Sequence, residues 1–160
     1  MFDKKFENYI LKPFRLSIAE CEDKNAFYID GTYYTYRKLA ERISAIRDII
    51  RNWQPNEKVV ALAFHDDIDS YASIFALWME GKAYVPLHPN QPVERNKNII
   101  AQVEAIHVLD SQISDVYTDS CQVVCTSQLT YSQDNLDNWA EASEEDLAYI
   151  LFTSGSTGIP

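Results

Sequence analysis

The chain has 160 residues, 46% of them apolar and 24% charged, a globular mixture that excludes a disordered tail and suits one domain with its own core. Its formal net charge is −10, unevenly placed: residues 1–100 balance 14 basic against 14 acidic side chains, whereas residues 101–160 carry 10 acidic side chains and no Lys or Arg. Acidity of that kind repels nucleic acid and anionic lipid, because phosphates need cationic side chains to displace their counterions, so neither is an expected partner.

The opening stretch MFDKKFENYILKPF breaks its apolar residues with polar ones every few positions and does not read as a secretory leader. No apolar run approaches the roughly 20 residues that span a bilayer. The three cysteines, Cys21, Cys121 and Cys125, are odd in number and lack a second Cys or His pair nearby. They read as ordinary thiols in a reducing compartment, with neither a disulfide framework nor a metal site, and the expected location is cytoplasmic.

In chain order, AFYIDGTYYTY (26–36) has the form of a β-hairpin, two aromatic-rich runs around the turn pair Asp30-Gly31. Thr35 is placed to cap a helix whose apolar stripe is Tyr36, Leu39, Ile43, Ile46, Ile50 and Trp53, with Pro55 ending it. KVVALAF (58–64) is a nearly continuous apolar run, as in a strand covered on both faces. After HDDID, an apolar helical pattern runs from Ile68 to Met79, with Gly81 placed to terminate it. AYVPL (83–87) is a short strand, edge or distorted because of Pro86. Pro92 opens a helix carrying Val93, Ile99, Ile100 and Val103; AIHVL (105–109) and VVCT (123–126) read as strands, and SQDNLDNWAEASEED as a polar connector with room for a short helix. The last strand expected is LAYILF (147–152). Strands alternating with helices of this length give an α/β fold: a mostly parallel sheet of βαβ units flanked by helices, preceded by a β-hairpin.

The chemistry is concentrated at the end. LAYILF feeds directly into TSGSTG, which holds two of only four glycines in the chain. In an open α/β sheet ligands bind beyond the carboxyl ends of the strands. Gly155 and Gly158 let a backbone approach an anion closely, and the amides of the loop together with the hydroxyls of Thr153, Ser154, Ser156 and Thr157 can donate to phosphate oxygens. A flexible linker has the same composition. The loop is not a Walker-type P-loop, since Ile159 rather than Lys follows the second glycine. Elsewhere, His65–Asp69 offers an imidazole and carboxylates to a metal, but the favoured reading is the first turn of a helix, where carboxylates meet the positive end of the dipole. His107 reads as a structural histidine within an apolar strand and His88 as exposed in a Pro-bounded loop; the three scattered histidines make no triad.

The closing stretch resembles the signature loop of the adenylate-forming (AMP-dependent synthetase/ligase) superfamily: an apolar strand, an aromatic residue, then Thr-Ser-Gly-Ser/Thr-Thr-Gly, any residue and Pro, matched through Pro160. Two upstream stretches resemble family segments in the right order, TYYTYRKLAERI and ALWMEGKAYVPLHPNQPVER. AYVPL and LFTSGSTG look more like amino-acid adenylation domains and D-alanine–carrier protein ligases than fatty acyl-CoA synthetases. His88 departs from the usual Asp, and Lys82 from the usual small residue. The resemblance implies that residues 1–160 are the N-terminal portion of an adenylation domain within a larger ligase. It implies ATP and Mg2+ as cofactors of the parent, a carboxylate substrate such as an amino acid, and a phosphopantetheine carrier protein as acceptor. It assigns Thr153, Ser154, Gly155, Ser156, Thr157 and Gly158 to the β- and γ-phosphates, and no catalytic or metal-binding residue to this portion. The cations for the triphosphate are then expected beyond Pro160, and the chain alone is expected to be inactive. The alternatives are an acyl-CoA synthetase portion and a non-catalytic interaction module of the same fold.

Overall fold

The computed structural model describes residues 7–53, 56–143 and 145–153. A helix α1 (Lys12–Cys21), entered through one wide π-type turn, precedes a hairpin of β1 (Asn25–Ile29) and β2 (Thr32–Thr35). Then follow α2 (Tyr36–Ile50), β3 (Val59–Ala63), α3 (Ile68–Met79), β4 (Ala83–Leu87), α4 (Val93–Gln102), β5 (His107–Asp110) and β6 (Gln122–Cys125). β1 and β2 pair antiparallel, with Asp30 at φ 46° and Gly31 at φ 79° turning the chain. The other four strands form one sheet in the order β4-β3-β5-β6, parallel throughout.

The sheet is covered on both faces. Successive residues of a strand point to opposite sides, so Val60 and Leu62 join α2 and α3 in one core, while Ala61 and Ala63 join Ile99 and Ile100 of α4 in a second. This double coverage is why β3 and β5 carry no apolar–polar alternation. The hairpin closes over the first core, with Phe27 stacked on Tyr71 of α3 at 4.8 Å.

Local signals set the helix ends. Thr35 Oγ1 accepts the Lys38 amide at 3.1 Å, and Asp67 Oδ1 accepts the Ser70 amide at 2.7 Å, each satisfying a donor the helix itself leaves open. Gly81, at φ 64°, ends α3; a Cβ there would stand 3.0 Å from that of Ala140. The helix α1 is an addition to the elements read from sequence. Its stripe is short, and it is held by tertiary packing: Ile18 is buried, and Phe14 stacks on Phe75 at 4.0 Å.

The polar connector holds no helix among its described residues. It is a strap across α2, gripped by two arginines. Arg42 pairs with Asp69 at 2.7 Å and donates to the carbonyls of Leu129 and Thr126. Arg47, fully buried, pairs with Glu80 at 2.7 Å and donates to the carbonyls of Asn135, Asp137 and Asn138. Burial lowers the Arg47 pKa against the opposing pull of Glu80. Leu136 pins the strap into the first core.

Removing Arg47 strands three carbonyls and leaves Glu80 to Arg51 alone, at 3.0 Å. Arg47→Ala should cost about 3 kcal/mol by urea unfolding and open residues 129–140 to limited proteolysis; an unchanged digestion pattern would show that the strap is held by other contacts. Tyr71 donates to Asp66 Oδ1 at 2.5 Å, and this bond, with burial, pushes its pKa up to about 12. A folded value above the unfolded one gives stability that is complete below pH 10 and lost as the pH rises toward 12. Tyr71→Phe should therefore be less stable than wild type at neutral pH by about 1 kcal/mol, the gap closing between pH 10 and 12 in pH-dependent melts.

Candidate functional site

Because β3, β4, β5 and β6 are parallel, their carboxyl ends share one edge. The segment that leads into the closing loop is steered to that same edge. Tyr149 bridges Tyr84 of β4 in parallel; the Tyr84 amide donates to Ala148 O at 3.4 Å, and the Ile150 amide donates to Tyr84 O at 2.9 Å. Trp78 Nε1, from α3, donates to Ala148 O at 3.0 Å as well.

Residues 147–152 are expected to form a full strand; instead they make this single bridge. The reason lies in β4. Hydrogen-bonding directions alternate along a strand, so after Tyr84 the next residue turned toward this segment is Pro86, which has no N–H to give. Pro86 aligns opposite Leu62 of β3 without harm because its nitrogen faces the other way. Pro86 thus marks the sheet's edge, as its sequence position implies. Side chains along the docked segment still alternate. Ile150 and Phe152 pack against the α4-side core, while Leu147, Tyr149 and Leu151 are exposed. Thr153 follows, exposed, on the carboxyl side of the sheet. It is the only one of the six expected phosphate-binding residues among the described positions; Ser154, Gly155, Ser156, Thr157 and Gly158 lie outside them.

The rest of this edge holds a constellation that sequence reading did not single out. His65, just past β3, donates from Nε2 to Oδ1 of Asp110, the last residue of β5, at 2.9 Å. The same oxygen accepts the Gln112 amide at 2.8 Å. The available signal was positional: each residue stands at the carboxyl end of an apolar run. The other HDDID carboxylates have structural partners: Asp66 takes Tyr71, Asp67 caps α3 and Asp69 takes Arg42. Among the described residues no group of three or more His, Cys, Asp or Glu is placed to hold a metal ion.

Histidine roles follow from place. His107 donates from Nδ1 to Glu57 Oε2 at 2.6 Å and stacks on Trp53 at 3.9 Å, a structural role at the opposite end of the sheet. His88 is exposed, and its Nδ1 accepts the Asn90 amide at 3.1 Å. That is the turn bond an Asp side chain makes to the amide two residues on, so the departure at position 88 preserves the local geometry. Lys82 is buried and donates to Glu57 O, with burial lowering its pKa. The three cysteines are free thiols, and burial pushes the Cys121 pKa up.

The sequence profile of the AMP-binding enzyme family matches residues 14–160. This chain belongs to that family. It is 31% identical over 144 residues to the nonribosomal peptide synthetase agiA of Aspergillus flavus, an alignment covering 80% of this chain and 2% of the relative. It is 28% identical over 166 aligned positions to the D-alanine–D-alanyl carrier protein ligase of Lactococcus lactis, covering 100% of this chain and 32% of the ligase. The fold superposes on the N-terminal subdomain of Klebsiella oxytoca NpsA, solved in complex with 3-hydroxyanthranilyl-AMSN. The TM-score is 0.75 at 26% identity, over 94% of this chain and 38% of that one. The chain thus spans about a third of the carrier protein ligase and about a fiftieth of the peptide synthetase it matches. No helix among the described residues is long and apolar enough to cross a membrane.

Trp78 anchors the segment entering the loop. Trp78→Phe keeps an aromatic ring and removes the bond to Ala148, so hydrogen exchange at the Ile150 amide should speed up about fivefold, the equivalent of ~1 kcal/mol. Unaltered exchange at Ile150 would show that Tyr84 alone holds the segment.

Proposed function

We propose that this chain is the first part of an ATP-dependent ligase that converts a carboxylate, most readily an amino acid, to its acyl-adenylate and passes the acyl group to a carrier-protein thiol. The observation that supports the reading is the parallel docking of residues 148–150 against Tyr84, which brings the described chain up to Thr153 toward the edge of the sheet where ligands of α/β folds bind. Relatives that are peptide synthetases and a D-alanyl carrier protein ligase favour the amino acid and the carrier over a fatty acid and coenzyme A.

In this reading Thr153 to Gly158 hold the β- and γ-phosphates of ATP. Thr153 fits: its exposed hydroxyl leaves a segment anchored through Ala148 and Ile150, so it can be presented without reordering the sheet. A carboxylate oxygen displaces pyrophosphate from the α-phosphorus. Both reactants are anions, so the protein's part is to position them and to offset charge. Hydroxyl and amide donors orient phosphates and bring no net charge; with residues 101–160 lacking Lys and Arg, cations must come from further along the parent chain and from Mg2+. The described residues offer Mg2+ no cluster of three acidic, His or Cys side chains.

The test is amino-acid-dependent pyrophosphate exchange in the full-length ligase. Thr153→Ala should lower its rate at least about tenfold, the worth of one charge-assisted hydrogen bond, and an unchanged rate would remove the loop from the mechanism. The 160-residue chain alone should show no exchange; micromolar Mg-ATP binding to it by calorimetry would contradict the division of labour.

A further inference from the structure

The order in which strands are added reverses between β3 and β5, with every strand still parallel. The connection from β3 runs through α3 to β4 on one side, and the connection from β5 runs to β6 on the other. Such a switch point opens a crevice outside the strand ends, where ligands of α/β sheets bind. Here the crevice is about 190 Å³, room for a small compound. It lies past β3 and β5, whereas Thr153 follows the segment on the far side of β4. At about 4.8 Å per strand the two places are on the order of 10–15 Å apart.

The chemistry of the crevice is specific. Ala63, Pro89, Val93 and Val116 give it apolar walls. Asp110, at 3% exposure, is the one carboxylate lining it, and no Lys or Arg does. Asp110 spends Oδ1 on His65 and the Gln112 amide, and its Oδ2 has no hydrogen-bond partner among the described residues. A carboxylate only accepts, so His65 is the donor of that bond, through Nε2. A carboxylate oxygen with no donor among the described residues, in a crevice that no Lys or Arg lines, suits a small cation with N–H donors.

We propose that this crevice is a binding site for a small primary ammonium compound, its –NH3+ on Asp110 and its short carbon chain against Val93 and Val116. Gln91 and Gln112, which also line the crevice, supply acceptors for the remaining protons. Anions are excluded by the same carboxylate. The proposal stands apart from the reading of the loop, since it uses none of residues 153–158.

The test is a nitrogen-15 NMR titration of the whole 160-residue chain with n-propylammonium chloride, with sodium propionate at matched ionic strength as the opposite-charge control. The expected result is saturable shifts confined to residues around Ala63, Asp110 to Gln112 and Val116, with propionate inert. Asp110→Asn should weaken binding at least tenfold. Should that variant lose its fold, Val116→Trp, which fills the crevice from a partly exposed position, should abolish the shifts by itself. Linear shifts without saturation, equal response to propionate, or undiminished binding in Val116→Trp would each overturn the proposal.

Discussion

Two arginines on the inner face of α2 hold the last third of this chain to the first. Arg42 and Arg47 reach across more than eighty residues of sequence to the carbonyls of a strap that has no regular structure of its own. A strap of this kind cannot satisfy its backbone by laddering, and buried carbonyls without donors are costly. The two guanidiniums answer that need with several donors each in a fixed fork. A buried ion pair such as Arg42–Asp69 adds little net stability over well-packed apolar residues, but breaking it leaves an uncompensated charge. The value of the two arginines here is placement. The strap runs from β6 to the segment beside β4, and its anchored middle fixes where that segment arrives; Ala140 closes the path by donating its amide to Met79 O at 2.8 Å.

The lopsided charge of the sequence takes on meaning in this light. The part of the chain without Lys or Arg lies partly against basic side chains from earlier in sequence: Arg15 meets Asp137 at 3.1 Å and Lys97 meets Asp119 at 2.6 Å. These outer pairs are exposed and weak. Asp110 is different. It is buried at the carboxyl end of β5, and the side chain bonded to it is a histidine rather than a Lys or Arg.

Positions that depart from the family pattern are accommodated by local chemistry. His88 makes the turn bond of an aspartate through an imidazole nitrogen. Lys82 is harder to house, and its head is accommodated by the Glu57 carbonyl at the amino end of β3. Glu57 in turn accepts the amides of Ile106 and His107 and the His107 ring, so one buried carboxylate organises the amino ends of β3 and β5.

Much of this was legible in the residues themselves. The hairpin around Asp30-Gly31, the Thr35 cap, the helix from Ile68 to Met79, the edge character imposed by Pro86 and the α/β class all follow from local rules, because turn dihedrals, capping bonds and burial periodicity are set within a few residues. The three ordered segments that resemble adenylate-forming ligases were legible for the same reason, being contiguous. What tertiary structure alone decided is whatever joins residues far apart in sequence. The α1 helix exists because Phe14 finds Phe75, the strap lies flat because Arg42 and Arg47 find its carbonyls, and the final strand shrinks to one bridge because its neighbour turns Pro86 toward it. His65 and Asp110, forty-five positions apart, become a pair only when β3 and β5 lie side by side. Composition and periodicity report what each segment buries, and only the packed sheet determines which strand ends meet.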